Sequence, residues 1–471
     1  MTAGADFSRA LLDAESEYIK RTVKSKLLND KAAAYLPGGD TRQACYFKPY
    51  PTYIKSGEGC CLYDVDGNKY IDVLNNYTQQ IHGHNHPRTK EAVIRQLQNG
   101  TIFGSPHETQ IELAELLCNR IPSVERIRFC NSGTEATMFA IKGARAYTGK
   151  DKIIKCEGMY HGTHDLVEGS VFPPLSEAGD PFAPNVVPSN AGIPANIFDN
   201  LVVIPFNKIK SFEAALEKNS GEVAAVIIEP VLGAGGVIPP NPDFLQAVRK
   251  LTTDKGIVLI FDEVVSFRLS TGGAQELYNI IPDLTTLGKF IGGGFPIGAF
   301  GGREDIMDVF SPSESVFAAG GNKVKHSGTF NGHPVIMSAG LATMQDMTPE
   351  VYQKFNLLGD KFRNNMNNEV FKKAGLKAQV TGIGSLSFLH YTQEKINNYR
   401  DIKKAMDAVG NLFTLVHLEA LNQGIWIAER GEIAISTPMT DHIINEVTDK
   451  YLEIFMKIKP VLERDLPFLV Y

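Results

Sequence analysis

Between residues 126 and 287 the chain repeats one pattern: a short strand-like run, a joint of small or polar residues, then a helix-like stretch. The runs are residues 126–130, 152–156, 201–204, 223–229, 257–262 and 284–287. A helix is expected to begin near Gly133, and further helices cover residues 212–218 and 244–254. Strand-like runs alternating with helical segments predict a mostly parallel sheet covered on both faces. Such a sheet binds its ligands at the carboxyl ends of its strands. The residues that follow each run are therefore the ones to inspect for chemistry.

The rest of the chain follows other rules. Residues 59–74 read as a hairpin turning at Asp66-Gly67-Asn68. From Pro349 onward, long helices (352–373, 399–422) mix with short strands (385–391, 425–428, 433–436). The expectation is an α/β fold: a large domain with a mostly parallel sheet over residues 76–334, and a smaller α+β unit built from residues 1–75 and 335–471. Residues 1–31 read as a polar helix with Leu11, Leu12, Tyr18 and Ile19 as its apolar positions. Residues 173–194, rich in Pro, Ala, Gly and Ser, read as a surface excursion that could act as a lid.

Charge and composition exclude several functions. The net charge is −6 over 471 residues, with acids and bases interspersed and no basic arm, so no nucleic-acid partner is expected. No run approaches the ~20 apolar residues of a membrane span, so no membrane partner is expected either. The six cysteines form no CxxC pair and fit reduced thiols in a cytoplasmic protein. His82, His84 and His86 alternate along the chain, but Pro87 then opens a helix. With no carboxylate adjacent in sequence they read as loop and cap residues, and no metal is expected.

Five joints carry chemistry. Lys289 follows an apolar run and is succeeded by Gly292, Gly293 and Gly294. A lysine held at a strand end, partly desolvated and beside backbone with no side chains, can condense with a cofactor aldehyde. Asp262 ends the apolar run at 257–262. It suits either a cap for the next element or a carboxylate paired with a protonated heterocyclic nitrogen. Asn131-Ser132-Gly133-Thr134-Glu135 enters a helix, where hydroxyls and unpaired N–H groups make either a phosphate cup or a plain N-cap. Tyr160-His161-Gly162 offers a ring that can stack on a flat ligand or lie in the core. Ser327-Gly328-Thr329-Phe330 reads as a turn or a second phosphate contact. An aldehyde trap, a pyridinium partner, a phosphate cup and a stacking ring are together what pyridoxal 5'-phosphate requires.

With these residues in view the chain resembles the class III aminotransferases, of the pyridoxal-phosphate fold that also holds aspartate aminotransferase. The matching blocks are Asn131-Ser-Gly-Thr-Glu-Ala, Tyr160-His-Gly, Glu229-Pro, Phe261-Asp-Glu-Val, Leu284-Thr-Thr-Leu-Gly-Lys-Phe-Ile-Gly-Gly-Gly and Ser327-Gly-Thr-Phe, in the family's order from about Tyr35 to Ile443. The resemblance implies that Lys289 is the covalent anchor and proton carrier and that Asp262 bonds the pyridine nitrogen. It implies that Tyr160 and Val264 cover the two ring faces. Ser132, Gly133 and Thr134 would hold the phosphate with the partner subunit's Thr329, and His161 and Glu229 complete the cofactor-binding set. It also implies a homodimer with its active sites at the interface.

Within the class the chain is similar to two groups. Glutamate semialdehyde aminomutases share the blocks at Asn131–Ala136 and Asp283–Gly294, but the arginine they use after Pro-Gly-Gly aligns with Cys45 here. The β-amino-acid aminotransferases of the β-phenylalanine type match better at Pro37-Gly-Gly-Asp-Thr-Arg42, Tyr77-Thr78, Thr381-Gly-Ile-Gly-Ser-Leu386 and Glu429-Arg430-Gly431. That likeness implies that Arg42 binds a substrate carboxylate, that Tyr77 lines the substrate site, and that Arg430 pairs with an acceptor's carboxylate and swings aside for an apolar group. A bidentate guanidinium suits both tasks. The expected reaction moves an amino group from a β-amino acid or amine donor, of S configuration, to a keto-acid acceptor by ping-pong exchange. A 2,1-aminomutase, or a racemase or epimerase on the same scaffold, is the alternative.

Overall fold

The computed structural model describes residues 5–312 and 323–471. It divides into two compact units: Pro87–Gln353 with Lys395–Lys404, and Met1–His86 with Lys354–Glu394 and Ala405–Tyr471.

The first unit is built on a seven-stranded sheet. Its order is Arg126–Cys130, Gly298–Gly302, Leu284–Gly288, Val258–Asp262, Val223–Ile228, Lys152–Cys156, Leu201–Ile204. The last five run parallel to one another. Gly298–Gly302 runs antiparallel between its two neighbours. The expectation from residues 126–287 holds strand by strand, with ends shifted by a residue. Gly298-Ala-Phe-Gly-Gly302 was not foreseen, because three glycines in five positions read as a turn rather than a strand. Its neighbours instead demand that composition, since the strand lies wholly buried between two others. The helix Gly133–Thr148 packs on this sheet through Ala136, Phe139, Ala140 and Ala144, all buried with Ile227, Ile260 and Phe300.

Residues 173–194 are anchored rather than loose. Arg400 grips Glu157 with Nε and Nη2 at 2.7 and 3.0 Å and donates to the carbonyls of Ala178 and Gly179 at 2.7 Å. Tyr399 Oη donates to the Pro173 carbonyl at 3.0 Å. A lid that moves freely does not fit this pinning.

The second unit holds a sheet of Ile54–Glu58, Cys61–Asp64, Lys69–Asp72 and Ile425–Trp426, and another of Gln379–Ile383, Leu386–His390 and Glu432–Ala434. The expected hairpin is there, extended by Ile54–Glu58. The N-terminal stretch forms Ala5–Arg21 and Val23–Ala32, and its first four residues lie outside the described residues. Tyr18 is buried, but Leu12 and Ile19 face solvent, and Phe7 and Ala14 take the inward positions. The long helix expected over 399–422 is two helices, Tyr399–Val409 and Leu412–Asn422, broken at Gly410.

The histidine triplet differs from expectation in one respect. A carboxylate does reach it: Asp72 Oδ2 lies 2.7 Å from His84 Nε2. His82 Nδ1 meets Thr437 Oγ1 at 3.0 Å, and the rings of His82 and His86 stack at 4.5 Å. Sequence adjacency hid Asp72 because the turn after Lys69–Asp72 folds back on it.

Candidate active site

Six of the expected residues sit at the carboxyl ends of five strands in the first unit, as the topology requires. Asp262 closes Val258–Asp262, Glu229 follows Val223–Ile228, and Tyr160-His161 follow Lys152–Cys156. Ser132 follows Arg126–Cys130 and Lys289 follows Leu284–Gly288.

Asp262 is buried, and both of its oxygens are hydrogen-bonded. Its Oδ2 lies 2.8 Å from His161 Nδ1, and its Oδ1 accepts from Thr286 Oγ1 at 3.0 Å and from the Val264 N–H at 3.2 Å. Burial pushes the His161 pKa down against the pull of Asp262. A neutral His161 donates through Nδ1, and its buried Nε2 has no hydrogen-bond partner among the described residues. Asp262 is thus oriented as an anion rather than neutralised.

Glu229 is the second buried carboxyl. Burial, with repulsion from Asp262, raises its pKa to about 8; the N–H groups of Tyr160 and Gly233, each 3.3 Å away, and the charge of Lys289 oppose the rise. Tyr160 itself is 41% exposed.

The helix Gly133–Thr148 starts with a real N-cap: Ser132 Oγ accepts from the Glu135 N–H at 3.1 Å. Glu135 returns its carboxylate to the Asn131 N–H at 2.8 Å, one residue earlier than a standard capping box. The cap does not use up the cup, because the first-turn N–H groups of Gly133 and Thr134 have no acceptor within the helix. The loop after Tyr160 closes on it. Thr163 N–H donates to Thr134 Oγ1 at 3.2 Å, and Gly162, at φ +99°, lies so near that a Cβ would sit 2.6 Å from Thr134 Cα. Val264 packs beside this cup, 3.3 Å from where a Cβ on Gly133 would lie.

Lys289 is half-buried and holds φ +55°, a left-handed conformation rare for a side-chain-bearing residue and common at functional sites. Two of the glycines after it allow close packing. A Cβ on Gly292 would sit 2.6 Å from Ile297, and Gly293 turns left-handed against the backbone of Ala339. Both admit close packing of protein on protein.

Lys155 was not foreseen. It lies fully buried in Lys152–Cys156 and donates to the carbonyls of Met159, Val167 and Gly169 at 2.9, 3.0 and 2.7 Å. It thereby ties down the loop that carries Tyr160 and His161. The available signal was a lysine between two apolar residues of a buried strand. Thr329 is exposed, on a turn whose Ser327, Gly328, Asn331 and Gly332 line a cavity of about 650 Å³ with Gln110 and Arg128.

The residues match the chemistry of pyridoxal phosphate: a buried carboxylate acceptor, an amine on the neighbouring strand end, and a helix N-terminus with unspent donors. Asp262 would hold the ring nitrogen, Gly133 and Thr134 the phosphate, and Lys289 the aldehyde carbon.

In the second unit, Arg42, Tyr77 and Arg430 come together. The guanidinium carbons of Arg42 and Arg430 lie 5.8 and 5.3 Å from the centre of the Tyr77 ring. Arg42 Nη1 donates to Asn76 Oδ1 at 2.7 Å. Arg430 is paired with the buried carboxylate of Glu432, and Tyr77 Oη donates to the Ala44 carbonyl. Burial pushes the Tyr77 pKa up to about 12, with Arg430 opposing it.

Comparison with known proteins adds four findings. The family model for class-III aminotransferases matches residues 45–458. The chain is 42% identical over 388 residues to glutamate-1-semialdehyde 2,1-aminomutase 2 of Lachnoclostridium phytofermentans, covering 81% of this chain and 87% of the relative. Among solved structures it resembles an omega-transaminase from Sphaerobacter thermophilus (TM-score 0.87, 41% identity, 93% of this chain and 98% of that one). It also resembles a β-phenylalanine aminotransferase from Variovorax paradoxus (TM-score 0.85, 35% identity, 97% and 98%).

Proposed function

The chain belongs to the class-III aminotransferases, and from that membership we propose that it transfers an amino group from a β-amino acid or related amine, of S configuration, to a keto-acid acceptor in ping-pong exchange. The observation that carries this reading is the cluster of Arg42 and Arg430 around Tyr77. Two guanidiniums at one aromatic ring suit a substrate range with carboxylates in different places.

Pyridoxal phosphate, when bound, supplies an aldehyde to capture the amine and a ring that withdraws electrons from the substrate carbon. The protein does the rest. Asp262, fixed by His161 and Thr286, keeps a proton on the ring nitrogen. Lys289 would take the proton from the carbon bearing the amino group and deliver it to the carbon that was the cofactor's aldehyde. Tyr160 and Val264 confine the ring between them, and Gly133 and Thr134 hold the phosphate by N–H and hydroxyl groups. Glu229 beside Lys289 gives the site a carboxyl that titrates near neutral pH, where it can tune the lysine's proton. Arg42 reads the donor's carboxylate, and Arg430 reads the acceptor's. The working form is a homodimer, completed by the partner subunit's Thr329, acting in the cytoplasm on small molecules; its six cysteines stand as free thiols.

The second reading is a 2,1-aminomutase, favoured by the 42% identity to such an enzyme. Product analysis with a donor and a keto acid separates the two. Transamination yields the donor's free keto product and the aminated acceptor in equal amounts. Rearranged amine with no free keto product supports the aminomutase instead.

A further inference from the structure

We infer that the left-handed turn Asn75–Thr78 positions both arginines, and that Asn76 and Tyr77 thereby set how strongly the enzyme prefers carboxylated substrates. This rests on the reading of Arg42 and Arg430 given above.

Asn75, Asn76, Tyr77 and Thr78 have φ of 53°, 50°, 55° and 73°. Asparagine tolerates this conformation, but a tyrosine and a β-branched threonine do not adopt it readily, and a run of four is unlike the single left-handed residues of ordinary turns. The surroundings enforce it. Asp72 Oδ1 accepts from the N–H groups of Leu74 and Asn75 at 2.9 and 2.7 Å, while its other oxygen is held by His84. Buried Asn75 donates through Nδ2 to the Ala434 carbonyl at 2.7 Å, tying the turn to the strand that carries Glu432.

The two central residues of the turn carry the consequence. Exposed Asn76 gives its oxygen to Arg42, and Tyr77 places its ring near both guanidiniums. Glu432 holds Arg430 from the same strand to which Asn75 is tied. One strained turn thus fixes both cations against a shared ring. Backbone strain of this kind persists where the surroundings over-determine it, and it gathers at sites that need a set geometry.

The test is Asn76→Gly in the holoenzyme. Glycine relieves the strain and removes the acceptor from Arg42. The ratio of kcat/KM for 3-amino-3-phenylpropanoate over 1-phenylethylamine should fall at least about fivefold, through KM, while Tm holds or rises. Tyr77→Phe should keep most of that ratio and Tyr77→Ala should lose it. An unaltered ratio in Asn76→Gly, or Tm and kcat falling with both donors alike, overturns the inference. Arg42→Ala separates the two claims. If Arg42→Ala leaves the ratio unaltered, Arg42 does not read the carboxylate. If it lowers the ratio and Asn76→Gly does not, the turn alone is refuted as the positioning element.

Discussion

His161 Nδ1 lies 2.8 Å from Asp262 Oδ2, and both side chains are almost wholly buried. The direction of that bond matters more than its length. Burial favours the uncharged imidazole, so the histidine donates a hydrogen bond and leaves the negative charge on the aspartate. A protonated histidine would share that charge and weaken the carboxylate as a partner for a ring nitrogen.

His161→Leu removes the donor and leaves a buried carboxylate oxygen unsatisfied, at a cost of about 1–3 kcal/mol. Titration of the apoprotein with pyridoxal phosphate should show Kd rising by about tenfold or more. An unchanged Kd would show that Asp262 needs no orienting.

Glu229 makes a pH prediction. Its folded pKa is about 8 against an ordinary 4.5, so folding favours the protonated form. That contribution is complete below the ordinary value and is lost as pH rises through about 8. Glu229→Gln mimics the protonated form. The Tm of apoprotein carrying it should fall less than that of the unaltered apoprotein between about pH 6 and pH 9. Parallel curves would contradict the shift.

His417 works with the opposite sign. It is buried against Phe47, and burial lowers its pKa from 6.5 to about 4. Its stability contribution is full above the unfolded value and lost as pH falls from 6.5 to about 4, amounting to ~3 kcal/mol at the acid end. His417→Leu should therefore flatten the acid limb of Tm against pH. An acid limb as steep as before would refute it.

Lys155→Met deprives three buried carbonyls of their donor and frees the loop that carries Tyr160 and His161. Tm should drop by roughly 3–10 °C, and hydrogen exchange should quicken between residues 157 and 170. Exchange that quickens evenly across the protein would deny the loop a special dependence on Lys155.

The first unit was largely legible because its central strands are strongly apolar and its chemistry falls where they end. Asp262 and Lys289 stand out for the same reason: a charge directly after a buried run needs an explanation. Gly298–Gly302 escaped because close packing had removed the side chains by which strands are recognised. Lys155 escaped because three backbone carbonyls satisfy it, and no residue type in the sequence announces them. The turn Asn75–Thr78 was invisible, since no local preference calls for left-handed tyrosine or threonine; Asp72 and Ala434 impose it from elsewhere.

The central claim is that Lys289 is the covalent anchor, and one measurement bears on it directly. Borohydride converts a reversible carbon–nitrogen double bond between lysine and cofactor into a permanent link, and peptide mapping then locates it. The account predicts the label on Lys289. A label on Lys155, the buried lysine whose pKa falls to about 7, or on any other lysine, would contradict it.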